Sequence, residues 1–373
     1  MAGRPRLPLF RVPNTASEAA ALAPVLAGGQ LAGGPVVAEF EARLAAAQGA
    51  PACLATADGA GALALALRLF GVEPGDEVAL SPMTCTATAM PVAVIGARPR
   101  WLDVDPLTGM PNADHLAAGI GPKTKAAIIY HWAGDVADLA PLVETCRANG
   151  IALIQEAAEA WGASYRGRPI GAAGDATVLS FYATRALSTG DGGAVILSNP
   201  DLIDRARRLR RFGIDQPSFR LPTGDLNPAS DIPEASGNHQ MTSLVAALGL
   251  QQLGGAEARV RRHREHGRIY DRALRGIAGL TLLTRPDDCR SSYWTYAFRA
   301  ERRDDLVRKL VERGIGAQRL HLRVDTYGCF AEARRDGLDG VDLFDRENIA
   351  IPSGWWLSDA DRDEIVACLK SGW

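Results

Sequence analysis

The chain has 373 residues, 47% of them apolar and 23% charged, and its 41 basic and 43 acidic side chains leave a formal net charge of -2. So near a balance provides no long-range field to hold a phosphate backbone, which argues against nucleic acid, and the length excludes a lone small binding module. No apolar run of the roughly 18 residues that a membrane span needs is free of charges or breakers, and the first ten residues lack an apolar signal core, so a cytoplasmic protein is expected.

Between residues 50 and 200, short apolar or β-branched runs alternate with segments of helical period. Strands are predicted at 77–80, 98–104, 126–131, 151–155, 176–180 and 194–198, with helices at 61–69, 86–95 and 139–149 between several of them. That alternation predicts an α/β fold, with a mostly parallel sheet sandwiched by helices, and such sheets bind ligands beyond the carboxyl ends of their strands. Past Asn199 the pattern turns helical at 202–211, 241–253 and 256–274, interrupted by a Pro- and Gly-rich loop over 216–237 of the kind that is functional or meets another subunit. The cluster Arg205, Arg207, Arg208, Arg210 and Arg211 reads as a solvated helix face. A strand at 293–299 and helices at 303–313 and 358–370 make a smaller C-terminal α/β unit, so the domains are expected at 1–255 and 256–373. Six cysteines, Cys53, Cys85, Cys146, Cys289, Cys329 and Cys368, form no CxxC pair and read as reduced, packed thiols with no metal site.

Four strand ends carry side chains suited to chemistry. Asp58-Gly59-Ala60-Gly61 is a glycine turn opening a helix, where bare amides suit a phosphate, although a plain turn explains it equally. Glu156 and Glu159 lie three apart past a buried strand, placed to fix a protonated heterocyclic nitrogen, to act as acid or base, or simply to favour a helix N-terminus. Ser180, Tyr182, Thr184 and Arg185 precede the glycine-rich turn 190–193. His131 ends the strand at 126–131, beside the expected cleft or packed below it.

From Pro8 to the last helix these segments, with Pro74-Gly75-Asp76, Thr84-Cys85-Thr86, Asp103-Val104-Asp105, Gly190-Asp191-Gly192-Gly193 and Gly237-Asn238-His239, resemble the DegT/DnrJ/StrS family of pyridoxal-phosphate (PLP) fold type I proteins, mostly nucleotide-sugar aminotransferases. The resemblance implies a homodimer with shared sites. It places Gly59, Ala60 and Ser180 at the cofactor phosphate, with Asn238 reaching a phosphate from the partner subunit. Glu156 takes the place of the aspartate under the pyridine nitrogen, Glu159 lies beside the ring, and Cys85 stands where many members put an aromatic. His239, His321 and Arg323 fall in regions near the substrate mouth.

Two departures decide the functional expectation. Arg185 stands at the position of the Schiff-base lysine, and a guanidinium neither forms an ordinary imine nor shuttles protons as an amine does. The chain has only four lysines, Lys123, Lys125, Lys309 and Lys370, all expected elsewhere. The family's Gly-Thr is Gly59-Ala60, and Asp58 puts a carboxylate at the same helix start, where it competes with a phosphate. Arg185 either pairs with Glu156 or Glu159 or points outward to grip a substrate anion, and the retained Ser180 favours the second. Three readings follow. The first is an atypical enzyme without conventional transamination, cofactor-free or with non-covalent PLP or pyridoxamine phosphate (PMP), working through Arg185, Glu156, Glu159, Tyr182 and His131. The second is a conventional aminotransferase if the arginine is an engineered change, and the third a non-catalytic partner of an active enzyme.

Overall fold

A computed structural model describes residues 5–13 and 16–373. Two helices lead, α1 (Ala16–Gly28) and α2 (Pro35–Gln48), followed by β1 (Ala52–Thr56), α3 (Gly59–Leu69), β2 (Glu77–Leu80), α4 (Thr86–Val94), β3 (Arg98–Trp101), α5 (Ala113–Gly119), β4 (Thr124–Tyr130), α6 (Leu139–Ala148) and β5 (Ala152–Glu156). A short pair, β6 (Ser164–Tyr165) and β7 (Arg168–Pro169), precedes β8 (Ala176–Ser180), β9 (Gly193–Leu197) and α7 (Ile203–Arg210). The long α8 (Ser243–Ala273) then leads to β10 (Leu280–Leu282), β11 (Cys289–Arg290), β12 (Tyr296–Ala300), α9 (Arg303–Glu312), α10 (Asp339–Glu347), β13 (Asn348–Ile351) and α11 (Asp359–Lys370).

The main sheet has seven strands in the order β1-β9-β8-β5-β4-β2-β3. Only β9 runs against its neighbours. Strands β1 and β9 are fully buried, and β4 and β8 nearly so, because helices cover both faces, which explains their continuous apolar runs. One apolar cluster under α3 and α4 includes Leu63, Val78, Ile128 and Trp132, and a second, on the other face, joins Phe40, Leu44, Phe181 and Ile196. A separate core of Tyr270, Tyr296, Phe298, Leu306 and Ile365 surrounds the three-stranded sheet β10-β12-β13.

Several boundaries differ from expectation, each for a tertiary reason. The strand at 98–104 stops at Trp101, because the Asp103 carboxylate turns to accept the amides of Gly340 (3.1 Å) and Val341 (2.8 Å) in the first turn of α10. The two helices expected at 241–253 and 256–274 are one 31-residue helix that runs across residue 255. The Arg259 guanidinium lies over Gly255 and donates to the Gln252 carbonyl (2.9 Å), bracing the helix where the two expected ranges are separated. The strand at 293–299 starts at Tyr296, since Tyr293 adopts a φ of 51°, outside the extended region. The arginines of α7 are not all solvated. Arg205 forks onto Glu234 and reaches the Leu69 carbonyl, and Arg210 pairs with Glu41 and the Ala55 carbonyl. Among the described residues no helix is long and apolar enough to cross a membrane, and no group of three or more His, Cys, Asp or Glu is placed to hold a metal ion.

Candidate active site

The carboxyl ends of β1, β2, β5 and β8 converge with Phe10 from the N-terminal segment and with Trp294 and His321 from beyond α8 on a cavity of about 570 Å³. That volume and its largely apolar wall suit a small ligand. The convergence follows from topology, since parallel strands all deliver their following loops to one edge.

Three ionisable groups dominate the floor. Glu159 is 2% exposed, and its Oε2 accepts the Ala133 amide at 2.8 Å. Its Oε1 meets His321 Nε2 at 3.0 Å and Arg185 Nη1 at 3.5 Å. Burial works to raise this carboxyl, but the hydrogen bond and charge of His321, then the charge of Arg185, outweigh it and leave Glu159 below the ordinary glutamate value. Glu156, 5% exposed, has the opposite fate. Burial, then the charge of Glu159, push it up to about 8, against the weaker pull of Arg185 and of the Ala158 amide. Its Oε1 accepts that amide at 3.2 Å, while Oε2 is buried without a hydrogen-bond partner. Two glutamates three residues apart are thereby held in different protonation states near neutral pH.

Arg185 takes the inward arrangement rather than the outward one expected. Its guanidinium lies 4.1 Å from the Trp294 ring centroid, and its buried Nε has no acceptor. Trp294 explains the choice: a flat cation beside an aromatic face and a buried carboxylate is better stabilised than one projecting into a largely apolar cavity. Trp294 is fixed in turn by its indole N–H on the Thr184 carbonyl (2.9 Å) and by stacking with Phe10 at 4.8 Å.

At the other end of the cavity Asp58 caps α3, accepting the Gly61 amide through Oδ1 at 2.6 Å. A second acid, Asp191, lines the same end, and burial, together with the charge of Asp58, raises its carboxyl above the usual range despite the Gly192 amide. Gly193 is required here, since a Cβ would meet the Asp58 carbonyl oxygen at 2.4 Å. Gly59, Ala60, Ser180 and Tyr182 all line this part, Tyr182 at the mouth with 53% exposure. Cys85 also lines the cavity, its thiol raised by burial and so kept protonated.

Besides Glu159, which sits behind the cavity wall and does not itself line it, four expected site residues lie outside the cavity. His131 is fully buried beneath it, with Nδ1 accepting the Ala137 amide (3.3 Å) and Nε2 donating to Gln155 (3.0 Å), and burial pushes the ring down to about 4. His239 packs on the outer side of the α3 start, where a Cβ on Gly61 would meet its ring nitrogen at 2.9 Å. Arg323 is forked onto Asp325 at 2.8 and 2.6 Å and also pairs with Asp342, which leaves it no free edge for a substrate. Asn238 is exposed on the loop before α8, away from this chain's own cavity. Sequence reasoning overlooked Trp294 and Phe10; the aromatic run Tyr293-Trp294-Thr295-Tyr296 was the available signal.

Residues 14–370 match the model of the DegT/DnrJ/EryC1/StrS aminotransferase family. The chain belongs to this family. Over 305 residues it is 34% identical to dTDP-4-dehydro-2,3,6-trideoxy-D-glucose 4-aminotransferase of Saccharopolyspora spinosa, covering 80% of this chain and 79% of that one. Among solved structures, sugar aminotransferase CalS13 from Micromonospora echinospora superposes with a TM-score of 0.93 at 36% identity, covering 98% of this chain and 100% of that one. The PLP form of Spr1654 from Streptococcus pneumoniae superposes with a TM-score of 0.87 at 25% identity, covering 98% of each chain, and a PMP form also matches. The two ends of the present cavity answer differently to such a cofactor. The partnerless Oε2 of Glu156 would suit a protonated ring nitrogen once the carboxyl gives up its proton. The phosphate end does not fit, because Asp58 already holds a helix-start amide and Ala60 has no hydroxyl to donate.

Proposed function

We propose that this chain is an enzyme of sugar or natural-product biosynthesis that uses the aminotransferase fold without a Schiff-base lysine, and without a tightly held phosphate cofactor. It works by acid/base chemistry on a small, sugar-type molecule, as a cytoplasmic homodimer to which Asn238 contributes across the subunit boundary. The observation that carries this reading is the side chain on the loop after β8: no lysine lines the cavity, and the cation there is Arg185, packed on Trp294 and paired with Glu159. A guanidinium in that place is an electrostatic and hydrogen-bonding group rather than a nucleophile. The acid-lined phosphate end supports the same reading. A second reading, PMP held without a covalent bond, is favoured by Glu156 Oε2 alone.

The test is direct. Purified protein is mixed with PLP or PMP, its visible spectrum recorded and borohydride trapping attempted, then repeated with Arg185→Lys. No cofactor absorbance and no adduct in the natural chain supports the proposal. Tight PMP binding without an adduct favours the second reading, and a trapped adduct on a cleft lysine of the natural chain overturns both.

A further inference from the structure

We infer that this cleft is built to remove a proton from the carbon next to a carbonyl of a keto sugar, with His321 as the base and Arg185 and Glu156 as the donors that hold the developing enolate oxygen. The inference rests on the reading above and specifies its chemistry.

His321 is the one histidine that lines the cavity. Its Nε2 sits between Tyr130 Oη at 2.9 Å and Glu159 Oε1 at 3.0 Å, so the carboxylate fixes the ring with the proton on Nε2. The other nitrogen, Nδ1, has no partner among the described residues and is open to solvent, which leaves its lone pair available. Edge-on contacts with Tyr130 and Trp132, at centroid distances of 5.7 and 5.5 Å, hold the plane of the ring. A carboxylate that orients an imidazole and balances the imidazolium formed on proton uptake is the arrangement a general base needs.

An enolate also needs donors placed in advance. Two buried polar atoms of cavity-lining residues have no partner, Arg185 Nε and Glu156 Oε2. The first is an N–H that the guanidinium never loses, and the second carries the proton of a carboxyl that burial holds neutral at pH 7. Burying donors without acceptors costs free energy, and a ligand oxygen reached by a small rotation of either side chain toward the cavity removes that cost. A protonated carboxyl and a second fixed donor in one cleft are a recurrent way of holding an enolate. In the step, the C–H bond breaks, the proton goes to His321 Nδ1, the electron pair moves onto the carbonyl oxygen, and a proton returns from His321 to the same carbon as the carbonyl re-forms. No oxidant, amine donor or cofactor enters the balance.

The probe is a dTDP-linked 4-keto-6-deoxyhexose incubated in D2O with the natural protein and no added cofactor, with NMR following loss of the C–H signals beside the carbonyl. Exchange roughly a hundredfold above buffer is expected. His321→Gln should return it to the buffer rate, and Glu159→Gln and Glu156→Leu, the second of which removes the neutral donor, should each cost about tenfold. Should His321→Gln not fold, carbethoxylation of a His115→Gln/His239→Gln variant must abolish exchange, since these two are the other partly exposed histidines and His131, His263 and His266, all buried, are shielded from the reagent. Exchange at the buffer rate with and without PLP or PMP overturns this inference and leaves the cofactor-free reading standing. Exchange that requires PLP or PMP overturns both.

Discussion

Replacing Glu156 by glutamine should stabilise the protein, and more so at pH 8 than at pH 5. The carboxyl is raised to about 8 in the fold, mainly by burial and then by the charge of Glu159, from an ordinary value of 4.5. Between those two values the folded chain keeps a proton that the unfolded chain has released, so stability falls as pH rises through the window. Each unit of difference is worth about 1.4 kcal/mol, which makes the cost about 1 kcal/mol at pH 5 and about 4 kcal/mol at pH 8. Glutamine is isosteric, can accept the Ala158 amide through its carbonyl, and does not titrate. Other groups change the shape of the wild-type curve: His131, His263 and His266, all depressed to about 4 chiefly by burial, favour the fold increasingly as pH rises toward 6.5. They are common to both proteins and cancel in the difference. Melting temperatures of the two proteins, measured from pH 5 to pH 8 at one protein concentration, give that difference directly. A gap between variant and wild type that stays flat across this range would refute the argument, because it would mean that Glu156 ionises in the fold as it does in water.

Arg185→Ala should cost about 2 kcal/mol, the scale of a desolvated cation–π contact, and less than a fully broken buried ion pair, since Glu159 keeps the Ala133 amide and His321; an unchanged melting temperature would mark the guanidinium as idle. Asp58→Ser retains a capping side chain, so stability should move by less than about 1 kcal/mol, while calorimetry should show affinity for pyridoxine 5′-phosphate, an analogue without the aldehyde, rising from the natural chain's level. Equal affinity in the two proteins would show that the carboxylate does not govern that end of the cavity. Light scattering at micromolar concentration should give a dimer, with an interface of at least ~2,000 Å², and a monomer would remove the role proposed for Asn238.

The architecture was legible because a buried parallel sheet imposes a pattern that one dimension can carry: apolar runs of strand length separated by helical periods. The same logic placed Glu156, Glu159, Ser180 and Arg185 at strand ends, and so on the right edge. Asp58 could be read as a capping carboxylate because its hydrogen bond is local, reaching only three residues ahead to Gly61. What folded invisibly to the sequence depends on partners far away along the chain. Asp103 ends a strand by capping a helix more than two hundred residues later, and Arg259 braces Gly255 so that two expected helices are one. His131 and His321 look alike in sequence, yet one is fully buried against Gln155 of β5 and the other is brought 162 residues to Glu159 at the cleft. Arg185 turned inward for the same reason, since Trp294 reaches it from beyond α8. The sequence by itself determined the fold class and which strand ends meet, through local periodicity and hydrophobic burial. The tertiary structure alone decided which of two nearby glutamates keeps its proton and which histidine faces the cavity, because desolvation and charge–charge interactions depend on distances in space that residue order does not record.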